Sequence, residues 1–481
     1  MAAAFPPLDW GPLALVALVP LLLAWRGGGV RTGAACGAVA GVVFFAVLVS
    51  WTWYFGVVAL VPFVVFLAGW WALAGALVGW LDGRGAAPAA VVAAVWVLVE
   101  AGRSRVPFGG FSWGEVGYAV HDLAPGRSLA AWGGVALVSL MAVAVNGWVA
   151  DAVAGVLPYT SPEATARRRA LASVAVVALS ALAAHVLLPA TTAAGRLRVA
   201  LVQGNDKNRE LTDAEIAERY IVRNHLRLAE RITRPVDLVV LPESALDADP
   251  RADPFLDEAL TALAARLDAV VLAGGNTDAP GGRIYNTTFM YTAQGRAPLV
   301  YRKRHLVPFG EYVPWRQALS FIEELEQIPR DFAPGRRGTI FPVHGVDVGA
   351  LICFDSAFAS LARGYARQGA EAILVSTNNR SYRRSANSAQ HLAMSQLRAA
   401  ETGRPVLHAG ISGLSGIVDA RGDLKARTSL FEPAVLTGTV RATSGRTPYV
   451  AVGEWAVALA ALLGAGAAWR AVRRRPVDSA P

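Results

Sequence analysis

The chain has 481 residues, of which 54% are hydrophobic and only 17% are charged, and its formal net charge is +9. Soluble proteins usually carry about 25% charged residues, so this composition argues against a purely soluble globular protein. Only 16 of the 81 charged residues fall in the first 190 positions, which predicts a membrane-embedded first part and a mostly soluble second part. The two cysteines, Cys36 and Cys353, are too few and too far apart in sequence for a disulfide framework or a cysteine-rich metal site.

Seven apolar stretches approach the roughly 20 residues that a helix needs to cross a bilayer. They predict transmembrane helices at about residues 11–25, 32–52, 56–81, 87–101, 128–150, 170–189 and 450–470. Arginines gather beside one end of these stretches, at Arg26, Arg31, Arg84, Arg167, Arg168, Arg169, Arg470, Arg473, Arg474 and Arg475. Because short cytoplasmic loops collect basic residues, we expect the N-terminus outside, the C-terminus inside and residues 191–449 outside.

Three arginines stand against this topology. Arg103, Arg105 and Arg127 fall on the predicted outer side of the membrane. Two interpretations are open, contact with the phosphates of lipid headgroups and ordinary anchoring at the interface.

The second part of the chain, residues 195–442, alternates short β-rich runs with amphipathic helical patterns. Strands are predicted at 198–203, 237–243, 269–274, 286–292, 298–303, 348–354, 372–377 and 405–409. Helices are predicted at 213–232, with Thr212 and Asp213 as candidate caps, and at 253–267 and 385–401. Interleaved strands and helices favour an α/β domain with layered sheets. The sequence has no phosphate-binding loop motif and no zinc-ligand spacing, so we expect neither a metal nor a cofactor.

Three residues of this domain end apolar runs and have side chains suited to chemistry. Cys353 precedes a predicted helix, whose N-terminal N–H groups favour a thiolate nucleophile; a small buried cysteine is the alternative. Glu243 suits a general base, or else caps a following helix. Lys303 is one of only three lysines against 42 arginines, which favours a specific role such as oxyanion stabilisation over chance.

These residues stand 60 and 50 positions apart, which is the pattern of the nitrilase superfamily. The motifs are Leu241-Pro242-Glu243-Ser244, Tyr301-Arg302-Lys303 and Ile352-Cys353-Phe354-Asp355. A longer motif, His-Leu-Val-Pro-Phe-Gly-Glu-Tyr-Val-Pro at 305–314, resembles the bacterial apolipoprotein N-acyltransferases, membrane-embedded members of the nitrilase or carbon-nitrogen hydrolase superfamily. Further segments fit this family, at Asn286, Gln390-His391, 398–405 and 108–118.

The resemblance implies a fold class, a multi-span α-helical membrane domain plus an extracytoplasmic α/β nitrilase-like domain built as an α-β-β-α sandwich. The implied domains are transmembrane helices in 1–190 (about six spans, without the family's first helix), a catalytic domain at 195–442, a C-terminal transmembrane helix at 450–470 and a basic cytoplasmic tail at 471–481. The resemblance implies that Glu243 is the base, that Lys303 stabilises the oxyanion and that Cys353 is the nucleophile. Glu311, Asp355 and Asn286 are implied as supporting residues.

The chain departs from the family's usual motifs at several positions. Leu241 replaces a tryptophan, Phe354 a tyrosine, and Asp355 a glutamate that is one methylene longer. Asn378 to Tyr382 replace an Asn-Asp-Ala-Trp-Phe stretch. These departures leave Glu243, Lys303 and Cys353 in place.

The implied function is transfer of an acyl chain from a phospholipid, through a cysteine thioester, to the N-terminal α-amine of diacylglyceryl-cysteine in lipoproteins. The implied partners are the phospholipid donor, the diacylglyceryl-modified apolipoprotein and the membrane, without nucleic acid. The implied location is the plasma (inner) membrane. A membrane-anchored nitrilase or amidase is the first alternative, and a non-catalytic scaffold or transporter is the second.

Overall fold

The computed structural model describes residues 1–154, 164–189, 191–205, 207, 211–322, 325–326 and 328–473. Contacts divide the chain into two units, one formed by Met1–Pro189 with Ala451–Pro481 and the other by Ala190–Val450. Arg474, Arg475 and the rest of the predicted basic tail beyond residue 473 lie outside the described residues.

The first unit consists of helices, as its apolar composition predicts. Its α-helices are α1 Val19–Trp25, α2 Gly29–Leu48, α3 Val57–Asp82, α4 Ala89–Arg103, α5 Ala124–Ser128, α6 Ala130–Ala154, α7 Ala164–Val186 and, near the C-terminus, α14 Trp455–Arg473. Four of them, α2, α3, α6 and α14, are long and apolar enough to cross a membrane. The other three predicted spans also form helices, but α1, α4 and the apolar part of α7 are shorter.

Helices α2 and α3 approach closely through glycines. The backbone of Gly33 in α2 lies so near Gly75 in α3 that a Cβ on either residue would overlap the other's carbonyl group. Small residues allow the two backbones to approach closely. In lipid, the van der Waals packing that results is a source of helix association where the hydrophobic effect between helices is absent. Gly69, also in α3, has open space around its Cα.

We predict that Gly75→Ala destabilises the helical unit by about 1–3 kcal/mol, because the added methyl group must push α2 and α3 apart. Gly69→Ala makes the same chemical change on the same helix and should be neutral or slightly stabilising. Thermal unfolding of the two variants in detergent measures the difference, and equal midpoints would show that this close approach contributes nothing.

The three arginines on the predicted outer side have different roles in the structure. Arg103 and Arg127 are only 2% and 3% exposed. Arg103 donates to the carbonyl oxygens of Phe111 and Trp113, and Arg127 donates to the carbonyl oxygen of His121. Headgroup contact is therefore wrong for these two, because their guanidinium groups are buried against backbone carbonyls. Arg105 is exposed and pairs with Glu454.

The second unit contains two six-stranded sheets, ordered β12-β1-β2-β3-β4-β5 and β11-β10-β9-β8-β7-β6. The strands are β1 Thr192–Gln203, β2 Leu238–Leu241, β3 Val270–Asp278, β4 Ile284–Thr292, β5 Gly295–Arg302, β6 Ile340–Val343, β7 Val346–Ile352, β8 Ala372–Thr377, β9 Val406–Gly410, β10 Gly416–Val418, β11 Leu424–Arg427 and β12 Ala434–Ser444. Strands β1–β3 are parallel, as are β7–β9. Because β4 is antiparallel to both β3 and β5, strand β5 runs in the same direction as β2.

Helices cover the outer face of each sheet. They are α8 Asp213–Ala217, α9 Tyr220–Glu230, α10 Pro254–Leu267, α11 Ala359–Arg367 and α12 Asn387–Thr402, and α13 Pro448–Val452 follows the last strand. Helices α9 and α10 pack on the first sheet and α11 and α12 on the second, while β1 contacts β7 and β9 across the interior. Leu256, Leu260 and Ala264, spaced four apart in α10, are buried in the core of the first layer. The predicted α-β-β-α sandwich is confirmed.

All eight predicted strands are present, but four others were not predicted. Strand β12 pairs with β1 along its length, although most of its residues are exposed or half-buried and they include a glycine and three threonines. The predicted helix 213–232 is two helices, because Arg219 adopts a left-handed conformation between them. Thr212 does cap α8, as predicted, in a capping box with Glu215.

Candidate active site

The three predicted catalytic residues follow three different strands. Glu243 lies two residues after β2, Lys303 directly after β5 and Cys353 directly after β7. Strands β2 and β5 belong to one sheet and run in the same direction, and β7 belongs to the facing sheet. The carboxyl ends of parallel strands meet at one edge of a sheet, so the fold brings together residues that are 110 positions apart in sequence. Glu243 lies in a turn and caps no helix, which removes that alternative.

Lys303 is the centre of the cluster. Its ammonium group lies 2.8 Å from Oε1 of Glu311 and 3.3 Å from Oε1 of Glu243, and the residue is only 2% exposed. Burial alone would lower the pKa of Lys303, but the two carboxylates outweigh it and hold this pKa well above its ordinary value. Lys303 is therefore a permanent cation in this site.

Glu243 is oriented by Lys303 and by two further donors. The amide of Asn286 donates to its Oε1 at 2.6 Å, and the backbone N–H of Asn378 donates to its Oε2 at 2.5 Å. Burial raises the pKa of Glu243, while the nearby Lys303 lowers it; the net shift is upward. A buried carboxylate with a raised pKa and a fixed direction is well suited to act as a general base.

Glu311 connects Lys303 to its own loop. Its Oε1 accepts from Lys303, and its Oε2 accepts from the backbone N–H of Val307 at 2.7 Å. The Glu311 carboxylate therefore fixes both the ammonium group of Lys303 and the backbone of the segment that follows Lys303 in the chain. The resemblance implied a supporting role for Glu311 and Asn286, and the structure places both in contact with the cluster.

Cys353 occupies a constrained position at the end of β7. Its φ of +49° lies in the left-handed region, which costs a residue with a side chain about 1–2 kcal/mol. It begins a short 3₁₀ helix, Cys353–Ala357, and the α-helix α11 starts later, at Ala359. Burial raises the pKa of the Cys353 thiol, and Glu243 raises it further, while Lys303 opposes the shift. The expectation of a ready thiolate is therefore wrong, because burial and the carboxylates favour the protonated thiol and the α-helix starts only at Ala359.

Asp355 connects Cys353 to the segment after Lys303. It is fully buried, and its carboxylate accepts from the Tyr301 hydroxyl at 2.7 Å. The same carboxylate accepts from the backbone N–H groups of His305 at 2.7 Å and Ile352 at 3.1 Å. Although it is one methylene shorter than glutamate, it joins the ends of β5 and β7, and its contacts in the described structure are those of a structural tether.

Two contributors were not identified from the sequence. The backbone N–H of Asn378 and the hydroxyl of Tyr301 act through groups that carry no distinctive sequence signal. A polar pair, Asn378-Asn379, directly after the buried strand β8 was the available signal for the first. Cys36, the other cysteine, lies in α2 of the helical unit.

Among the described residues, one group has the spacing of metal ligands. Asp9, His121 and Asp122 have ligand atoms within 4.8 Å of one another. This group belongs to the helical unit, whereas Glu243, Lys303 and Cys353 belong to the other unit.

A thiol, a carboxylate of raised pKa and a fixed cation are together capable of acyl transfer. The carboxylate can accept the thiol proton, the sulfur can attack a carbonyl carbon, and the cation can stabilise the oxyanion that forms.

Comparison with known proteins supplies the family. A family model described as the apolipoprotein N-acyltransferase N-terminal domain matches residues 1–148, and one described as carbon-nitrogen hydrolase matches residues 198–449. Proteins named apolipoprotein N-acyltransferase are similar over nearly the whole chain. The one from Methylococcus capsulatus is 31% identical over 94% of this chain and 90% of its own. The one from Azotobacter vinelandii is 31% identical over 100% and 94%, and the one from Geobacter metallireducens is 29% identical over 98% and 93%.

These matches extend through both units, and the residues matched by the carbon-nitrogen hydrolase model span the positions of Glu243, Lys303 and Cys353. The chain therefore belongs to the apolipoprotein N-acyltransferase family.

Proposed function

We propose that this protein transfers an acyl chain from a phospholipid to the N-terminal α-amine of a diacylglyceryl-modified lipoprotein, through a thioester on Cys353. The observation that carries the proposal is the buried cluster of Glu243, Lys303 and Glu311, all three of which interact electrostatically with Cys353. The part of the chain that the structure describes also has four helices fit to cross a membrane. The names of its relatives supply the substrate class.

In the first half-reaction, Glu243 accepts the thiol proton and the sulfur of Cys353 attacks the ester carbonyl of the phospholipid. Lys303 stabilises the oxyanion of the tetrahedral intermediate. When the intermediate collapses, Glu243 returns the proton to the oxygen of the departing lysophospholipid, and a thioester remains on Cys353.

In the second half-reaction, the α-amine of the lipoprotein attacks the thioester carbonyl. Glu243 accepts a proton from the amine, and the sulfur of Cys353 leaves and recovers a proton. Glu311 keeps Lys303 in place through both steps by its 2.8 Å contact with the ammonium group. Water must be excluded while the thioester exists, because hydrolysis would waste the acyl chain.

The same proposal gives the location. Both substrates are anchored in a lipid layer, so the enzyme must work at a membrane surface. The arginine distribution along the sequence favours the outer face of the plasma (inner) membrane for residues 191–449. We therefore propose that the phospholipid donor and the lipoprotein acceptor both reach the enzyme at this outer face.

We predict that Cys353→Ala lowers N-acylation at least about 1,000-fold, because the reaction loses its nucleophile. Cys36→Ala is the matched control and should retain normal activity. The assay is mass spectrometry of a lipoprotein N-terminus after incubation with phospholipid vesicles. Trapping the wild-type enzyme without acceptor should add a long acyl chain to Cys353. A small acid on Cys353 would favour the amidase alternative, and N-acylation by Cys353→Ala would refute the assignment.

The raised pKa of Glu243 predicts the acid side of the pH profile. The base is active when ionised, so kcat/KM should fall as the pH decreases through an apparent pKa above 4.5, the ordinary value for glutamate. Lys303→Ala removes the cation that opposes the upward shift in the pKa of Glu243. The residual activity of this variant should therefore begin to fall at a still higher pH than that of the wild type. An apparent pKa at or below 4.5 for the acid side of the wild-type kcat/KM profile would contradict Glu243 as the base.

The contacts of Asp355 predict a loss of stability when its charge is removed. Asp355→Asn presents an NH₂ group to donors that now face a carboxylate, so we expect a cost of about 2–3 kcal/mol. Asp347→Asn, at an exposed position in the preceding strand β7, is the control. Thermal unfolding in detergent measures both, and equal midpoints would show that Asp355 is not a tether.

A further inference from the structure

We propose that His391 is a positioning residue of this active site, which holds the nucleophile and the base in register through hydrogen bonds to backbone and amide groups. The inference rests on the proposed function and adds a residue to which no role has been given above.

His391 lies behind the nucleophile. It is 1% exposed, on the helix α12, and its Nε2 lies 3.1 Å from the carbonyl oxygen of Cys353. The same Nε2 lies 2.7 Å from Oγ of Ser356, and the Ser356 hydroxyl donates to the Cys353 carbonyl at 2.9 Å. The carbonyl of the nucleophilic residue is therefore held by two side chains from its inner side.

The opposite ring nitrogen fixes the tautomer. The hydroxyl of Thr377 donates to Oδ1 of Asn379, which turns the NH₂ group of Asn379 away from the strand. That NH₂ group lies 2.6 Å from Oδ1 of Asn387 and 3.3 Å from Nδ1 of His391. This network assigns Nδ1 as the acceptor and places the ring proton on Nε2, which faces the Cys353 carbonyl and Ser356.

The network also reaches the base. Asn379 follows Asn378, whose backbone N–H binds Oε2 of Glu243 at 2.5 Å. One histidine therefore connects the backbone of Cys353, which has a left-handed φ of +49°, with the segment that orients Glu243. The distance and angle between sulfur and carboxylate depend on both attachments, and small displacements of such groups cost large factors in rate.

His391 remains a neutral donor. Burial lowers its pKa to about 4, and the positive charge of Lys303 also opposes protonation. Its Nε2 contacts the carbonyl oxygen of Cys353 and Ser356, and its Nδ1 contacts Asn379, so we propose that it acts through these groups.

Two polar replacements test the proposal. The amide nitrogen of His391→Gln can reach the position of Nε2, whereas that of His391→Asn is too short to reach the Cys353 carbonyl. We expect kcat for N-acylation within about 5-fold of wild type for Gln and about 100-fold lower for Asn, with KM for phospholipid within about 2-fold for both. Equal kcat values for the two variants would overturn the proposal.

His408 provides a matched control for the loss of a buried imidazole. Its ring centre is 5.0 Å from that of His391, it is fully buried, and its Nδ1 is bound to Ser395 Oγ. Among the described residues its Nε2 has no hydrogen-bond partner. His408→Asn should lower stability but leave kcat of the folded enzyme within about 3-fold. A loss equal to that of His391→Asn would show that only general packing was disturbed.

A second measurement separates this inference from the proposed function. In a Cys36→Ala background, the rate of Cys353 alkylation by iodoacetamide reports the pairing of thiol and base without any lipid. We expect His391→Asn to slow the alkylation of Cys353 about 10-fold. We expect the alkylation rate of His391→Gln to stay within about 3-fold of the wild-type rate. If this pattern holds while the wild type fails to N-acylate, the proposed function falls and the role of His391 stands. Unchanged alkylation in His391→Asn would refute the role.

Discussion

The site depends on one constraint, the burial of the Lys303 ammonium group with two carboxylates. An isolated ammonium group in a dry interior is very costly, and Lys303 stays charged because Glu311 and Glu243 lie 2.8 and 3.3 Å away. The other oxygen of each carboxylate accepts a backbone N–H, from Val307 for Glu311 and from Asn378 for Glu243, and Asn286 donates to the Glu243 oxygen that faces Lys303. Breaking such a buried pair typically costs about 3–5 kcal/mol, so every segment that contributes a partner is held in place by the cluster.

That constraint explains why the site lies where two sheets meet. Glu243 and Lys303 come from the carboxyl edge of the first sheet, Cys353 and Asn378 from the carboxyl edge of the second. Asp355 joins the two edges, since it binds both the Tyr301 hydroxyl and the backbone at Ile352. The positions of Cys353, the proposed nucleophile, and Glu243, its proposed base, are therefore set by the ends of strands in the two sheets.

The sequence was sufficient to predict the site residues that lie at the ends of buried strands. It was insufficient to predict the groups that act through the backbone. Apolar runs revealed β2, β5 and β7, and with them the positions of Glu243, Lys303 and Cys353. The N–H of Asn378 carries no side-chain signal, and strand β12 is specified by its pairing with β1, more than 230 residues earlier. The state of the Cys353 thiol was mispredicted for a related reason, because burial and neighbouring charges are properties of the folded site.

The resting thiol is consistent with the charge balance of the cluster. With Glu243 and Glu311 ionised and Lys303 protonated, the cluster carries one net negative charge. A resting thiolate would add a second negative charge in a buried site, which burial opposes. Transfer of the Cys353 proton to Glu243 keeps the net charge at one, because a carboxylate is neutralised as the thiolate forms. In the proposed mechanism the negative charge then moves onto the carbonyl oxygen of the substrate, where Lys303 is already fixed to receive it. In this mechanism the proton moves as the carbonyl group accepts the charge, so most of the Cys353 is a protonated thiol between turnovers.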